Sequence, residues 1–87
     1  MSDCRAILDR DFRDDLTHWI GTNHKTALRV MTLIEDVLRD PFAGIGRPEP
    51  LKHLGMDVWS RRLTAEHRLV YLVRGGEVYF LQAQYRY

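Results

Sequence analysis

The chain has a single cysteine, Cys4, only three prolines, and no apolar run near the roughly 20 residues a membrane helix needs. One cysteine excludes an internal disulfide framework and accords with a reducing compartment. Charge of one sign is also lacking: 13 Lys and Arg against 12 Asp and Glu leave a formal +1. That balance excludes the uniformly cationic coat of a general nucleic-acid binder. There is no internal repeat, low-complexity tract or Ser/Gly-rich linker to mark a boundary. At 87 residues the chain can fill one core but not two. The opening Met1-Ser2-Asp3-Cys4-Arg5 carries an acid and lacks the cationic and apolar stretches of a secretory signal. The expectation is one domain over residues 1–87, cytoplasmic and without a membrane partner.

What is present is an ordinary globular composition, 45% hydrophobic and 29% charged. The modest net charge is unevenly placed. Residues 1–45 hold six Lys or Arg against eight Asp or Glu, and residues 46–87 hold seven against four, giving −2 and +3. Such a cationic half suggests a local anion site, for instance for a phosphate backbone, although ordinary scatter gives the same count.

Arg5-Ala6-Ile7-Leu8 is a short apolar run, read as a first strand. Phe12, Leu16, Trp19 and Ile20 then recur at helical spacing behind Asp9 or Asp11 as a cap, and Gly21 closes that helix. Ala27, Val30, Met31, Ile34, Val37 and Leu38 predict a second helix from about Asn23 to Arg39, stopped by Asp40-Pro41. From Pro41 to Asp57 three prolines and three glycines predict an irregular loop. Val58 to Leu63, His67 to Arg74 and Glu77 to Tyr85 read as strands, the last two joined at Gly75-Gly76, where both residues accept positive φ. The reading is an α+β fold, a helical hairpin packed on a mainly antiparallel four-stranded sheet in the order β-α-α-β-β-β. A regular two-residue turn would set Arg68 opposite Ala83, on one face with Tyr85 and Tyr87, and send Arg86 to the other; a bulge would change this.

The loop Pro41-Phe42-Ala43-Gly44-Ile45-Gly46-Arg47-Pro48-Glu49-Pro50-Leu51-Lys52-His53, followed by Trp59-Ser60-Arg61-Arg62-Leu63-Thr64-Ala65-Glu66-His67-Arg68-Leu69-Val70-Tyr71, closely resembles the YoeB family of toxins in the RelE-like superfamily. The resemblance implies the α+β fold and a ribosome-dependent endoribonuclease that cuts mRNA in the A site of the 70S ribosome. It also implies a YefM-like antitoxin and, frequently, a homodimer; operator DNA is expected to be bound only through the antitoxin.

RNA cleavage without a metal proceeds by attack of the ribose 2′-OH on its own phosphate, leaving a 2′,3′-cyclic phosphate and a free 5′-OH. It needs a base for the 2′-OH, cations for the crowded phosphate and a proton for the leaving oxygen. By resemblance, Glu49 is the general base and Arg68 the phosphate-stabilising arginine, whose planar, permanently charged fork suits two phosphate oxygens. Lys52 and Arg62 match positions that bind RNA. The family pattern closes Tyr-His-Tyr with the histidine as general acid, whereas this chain closes Tyr85-Arg86-Tyr87. Arginine does not readily release a proton near neutral pH. Three accounts remain: a proton from Tyr87, water or the ribosome; electrostatic help from Arg86, which is the preferred one; or a slow or inactive enzyme. Tyr87 then stacks or hydrogen-bonds, and Tyr85 either contacts RNA or belongs to the core.

Without the resemblance, Glu49 between two prolines is a solvated loop acid, and Arg61-Arg62 is a charge pair guarding a strand edge. Trp59 reads as core or interface, and Tyr71, Tyr79 and Phe80 as core. His18, His24, His53 and His67 form no compact ligand set with Cys4, so neither metal nor cofactor is expected. Gly44-Ile45-Gly46 is no dinucleotide loop, because Glu49 stands where a third glycine would be needed. Asp9, Asp11, Asp14 and Asp15 suit the positive start and wet face of a helix. The alternative function is a non-enzymatic, ParE-like toxin of the same fold that binds the ribosome or DNA gyrase.

Overall fold

A computed structural model describes residues 4–86. The elements are β1 (Arg5–Leu8), α1 (Arg10–Thr22), α2 (His24–Arg39), β2 (Glu49–Pro50), β3 (Val58–Arg62), β4 (His67–Arg74) and β5 (Glu77–Arg86). They build one sheet in the order β1-β5-β4-β3-β2. The sheet has five strands, not four, and is mixed: β1 runs parallel to β5 while the other pairs are antiparallel. Parallel pairing needs a long crossover, and the α1–α2 hairpin supplies it. The extra strand is β2, inside the segment expected to be loop. Pro48 and Pro50 have no N–H to donate, which keeps β2 short and confines it to the edge.

Asn23 separates the helices, its side-chain oxygen accepting from the Thr26 N–H at 3.2 Å to cap α2. The helices cover one sheet face, where Phe12, Trp19, Val30, Leu33, Val37, Leu69, Tyr71, Phe80 and Ala83 form the main core. Two sequence assignments fail here. Ile20 and Met31 are exposed, and Leu33, passed over by the spacing argument, is buried. The opposite face has only a small cluster of Leu51, Val58 and Val70 with Leu72, Leu81 and Tyr85 at its margin. Tyr79 is half-buried and donates to Glu77 at 2.8 Å, so it is not a core residue.

The β4–β5 hairpin starts in the expected register, from Arg74 opposite Glu77 to Tyr71 opposite Phe80. Two shifts then intervene, so that Val70 faces Gln82 and Arg68 faces Tyr85 rather than Ala83. Helix α1 accounts for the irregularity. The Ala83 N–H donates to Asp15 Oδ2 and the Ala83 carbonyl accepts from Trp19 Nε1, each at 2.8 Å. The backbone is thus satisfied where the ladder is broken. Asp15 therefore bonds the sheet and does not merely decorate a wet helix face. Two one-residue shifts also restore the alternation, leaving Arg68 and Tyr85 together on the helix-free face.

Arg61 overturns its reading as an edge charge: β2 covers β3, and the Arg61 side chain is fully buried. Its guanidinium pairs with Asp36 at 2.6 Å and donates to the carbonyls of Ile45 at 2.9 Å, Asp40 at 2.6 Å and Ala43 at 3.3 Å. Its Nε donates to the Tyr71 hydroxyl at 3.1 Å, which donates in turn to the Pro41 carbonyl at 2.6 Å. Burial alone would raise the Asp36 pKa, but the Ile45 N–H, Arg61 and Arg39 outweigh it and hold the carboxyl below its ordinary value. Burial raises that of the Tyr71 phenol. Residues 40–46 are thus wrapped around one cation. Gly44 must be glycine there: its φ is +135°, and a Cβ would run into the Asp36 carboxylate.

Candidate functional site

The clamped loop delivers Glu49 to β2, where it pairs with Ser60 on β3. Strand alternation puts Val58, Ser60 and Arg62 on the helix-free face, and Arg62 is the direct partner of Arg68 on β4. Two cations opposite one another repel. The Arg68 Nη2 is 3.0 Å from Glu49 Oε1, and its Nη1 donates to Ser60 Oγ at 3.0 Å. Arg68 is a buried cation, with 7% of its side chain exposed, whereas 38% of the Glu49 side chain meets solvent. A buried guanidinium is tolerable only when paired and hydrogen-bonded, and Glu49 and Ser60 meet that requirement.

Leu51 is buried beneath the same face, and its N–H donates to the Val58 carbonyl at 2.8 Å, closing the 51–58 turn. Lys52 and His53 follow it to the surface. His53 Nε2 is 2.9 Å from the Tyr85 hydroxyl, and Tyr85 is the cross-strand partner of Arg68. Of the residues singled out from sequence, Glu49, Arg68 and Tyr85 thus form one connected cluster. Lys52 and Arg62 are exposed cations beside it in the chain. Arg86 is not in the cluster. It pairs with His67, whose ring packs on Trp19 at the helix-covered face, and its guanidinium is 3.9 Å from Glu66. Tyr87 lies outside the described residues.

Ser60, His53 and Arg61 were not chosen from sequence. Ser60 had a usable signal, since two-residue alternation puts it on the face of Val58 and Arg62. The contact from His53 to Tyr85 had none, because a loop carries no periodicity. Chemically, the cluster offers a half-exposed carboxylate that can accept a proton next to a fixed planar cation that can hold an oxyanion. Among the described residues, no group of three His, Cys, Asp or Glu side chains is placed to hold a metal ion. Likewise, no helix among them is long and apolar enough to cross a membrane.

Residues 8–87 match the family model of the YoeB-like toxin of bacterial type II toxin-antitoxin system. The chain is 47% identical over 79 residues to Toxin YoeB of Mycobacterium bovis, covering 91% of this chain and 93% of that one. Its fold is similar to a YoeB/ParE toxin from Agrobacterium tumefaciens, with a TM-score of 0.89, 38% identity and coverage of 95% and 99% of the two chains. It also resembles Staphylococcus aureus YoeB, solved as a dimer (TM-score 0.89, 26% identity) and as a YoeB-YefM complex (0.83, 28%), each covering 99% of this chain and 100% of the other. On the five-stranded sheet and these matches together, the chain belongs to the YoeB-like toxins of bacterial type II toxin-antitoxin systems.

Proposed function

We propose that this protein is a metal-independent endoribonuclease that cuts messenger RNA in the ribosomal A site and thereby inhibits translation. The observation that carries this reading is the buried Arg68 guanidinium, 3.0 Å from the half-exposed Glu49 carboxylate. Glu49 takes the proton of the 2′-OH as its oxygen attacks the neighbouring phosphate. The Arg68 fork turns from the carboxylate to the phosphate and stabilises the charge that gathers on its oxygens. RNA binding therefore frees the Glu49 carboxylate from its ion pair in the same event.

Lys52 and Arg62 bind the RNA backbone from the solvent side, and Tyr85 contacts a base or the ribose. Arg86, next to Tyr85 at the end of β5 but outside the cluster, adds positive charge around the site without touching its reacting groups. Its pair with Glu66 is 3.9 Å long with both side chains more than 70% exposed, so exchange for a phosphate costs little. Tyr87 stacks or hydrogen-bonds. The products are a 2′,3′-cyclic phosphate and a 5′-OH end. A chain of 87 residues leaves substrate placement to the ribosome.

A YefM-like antitoxin is the inferred partner, since the S. aureus relative is found in a YoeB-YefM complex, and a homodimer is inferred from the S. aureus YoeB dimer. Operator DNA is reached through that antitoxin. The test is to map RNA ends after adding the protein to a purified translation system, with and without ribosomes. Cuts that need ribosomes and carry a 5′-OH are expected. Blocked translation with intact messenger would instead mean a non-enzymatic, ParE-like binder of the ribosome or of DNA gyrase.

A further inference from the structure

Cleavage by 2′-OH attack expels the 5′-oxygen, a poor leaving group unless it gains a proton as the bond breaks. Arg86 is the wrong residue for that task. A guanidinium keeps its proton near neutral pH, and this one lies on the helix-covered side of β5, opposite His67. The other histidines are also misplaced. His67 packs edge-on against Trp19 with ring centroids 5.1 Å apart, His18 flanks the same indole from α1, and His24 begins α2.

His53 differs. It is exposed, on the helix-free face, and its Nε2 is 2.9 Å from the hydroxyl of Tyr85. Tyr85 is opposite Arg68 across β4 and β5, so its side chain rises from the same sheet face as the cation that would hold the phosphate. The two register shifts between Tyr71 and Arg68 set this arrangement: in the regular register Ala83, not Tyr85, would face Arg68.

We propose that His53 and Tyr85 form the proton-delivery route of the site, with Tyr85 donating to the departing 5′-oxygen and His53 replenishing Tyr85. This rests on the nuclease reading above. The O2′–P bond forms and the P–O5′ bond breaks, its electron pair leaving on O5′. That oxygen takes the proton of the Tyr85 hydroxyl while the Tyr85 oxygen takes one from Nε2 of the His53 imidazolium. The imidazole ends neutral and Glu49 ends protonated, and solvent returns the proton from one to the other. No co-reactant is needed. Imidazole is suited to this because it exchanges protons in the neutral range.

The route is testable by leaving-group chemistry. Ribosome-bound messenger with an ordinary 5′-oxygen at the cut site is compared with one carrying a bridging 5′-sulfur, which leaves without a proton. His53→Ala and Tyr85→Phe should each slow the oxygen substrate by about 100-fold or more, and for each variant the loss on the sulfur substrate should be far smaller. Thermal unfolding of both variants checks that the fold is intact. Equal loss on both substrates would make the pair structural and overturn the route, as would wild-type cleavage of the oxygen substrate by both variants, while the nuclease reading would stand. A wild-type protein inert on both substrates would overturn the nuclease reading and the route with it.

Discussion

Asp36 of α2 and Arg61 of β3 meet at 2.6 Å beneath the 40–46 loop, and both side chains are buried. This pair, on the sheet face opposite Glu49 and Arg68, fixes where Glu49 enters the sheet. Residues 40–45 contribute three carbonyls to the Arg61 guanidinium, and the Ile45 N–H donates to Asp36 at 2.9 Å. The loop is ordered by a charge, not by an apolar core.

Removing one member of such a pair strands the other. Arg61→Met should therefore lower unfolding stability by about 3–5 kcal/mol, the range for breaking a buried ion pair from one side. Urea denaturation measures it. A loss under about 1 kcal/mol, the ordinary yield of an exposed pair, would contradict the burial described.

The same pair gives an acid dependence with a definite sign. The Asp36 carboxyl titrates lower folded than unfolded, so its contribution is present above the ordinary carboxylate pKa and is lost as pH falls through the folded value. Unfolding stability should accordingly decline as the solution is taken below the ordinary carboxylate range. Asp36→Asn should be less stable at neutral pH and should show a flatter acid limb. Parallel limbs in the two proteins would remove Asp36 as the cause.

Ser60 is fully buried and accepts a hydrogen bond from Arg68 Nη1. Ser60→Ala removes one anchor of the guanidinium without touching the carboxylate. Cleavage should fall about tenfold, equivalent to roughly 1.4 kcal/mol, with ribosome affinity unchanged. Quantified messenger cleavage and pelleting with ribosomes separate the two. Unchanged cleavage would mean that the bond to Ser60 is not needed to place Arg68.

Much of this was legible in the chain, and the failures have physical causes. The period of the helices and the Gly75-Gly76 turn set the architecture, and the family resemblance points to Glu49, Arg68 and Tyr85 without showing their contacts. β2 escaped because two prolines in four residues mark a loop unless an edge strand tolerates them. Arg61 escaped because adjacent arginines on a strand look alike, although alternation sends one to each face. The Arg68 to Tyr85 pairing escaped because the β5 irregularity is met by Asp15 and Trp19, 68 and 64 residues away from Ala83. No local pattern announces a bond over that distance. Arg86 stands out for its place in the closing tripeptide, and the hairpin alternation that sends it to the face opposite Arg68 and Tyr85 holds because the two register shifts cancel.

The central claim is that Glu49 acts as the base beside Arg68. Glu49→Gln keeps an oxygen to accept from Arg68 and removes the basic carboxylate, so the fold and ribosome binding should persist. The decisive measurement is the single-turnover cleavage rate of ribosome-bound messenger by wild type and Glu49→Gln, at matched ribosome occupancy. A drop of about 10²–10⁴-fold, the usual contribution of a general base, is the predicted result. Cleavage at the wild-type rate would contradict the account.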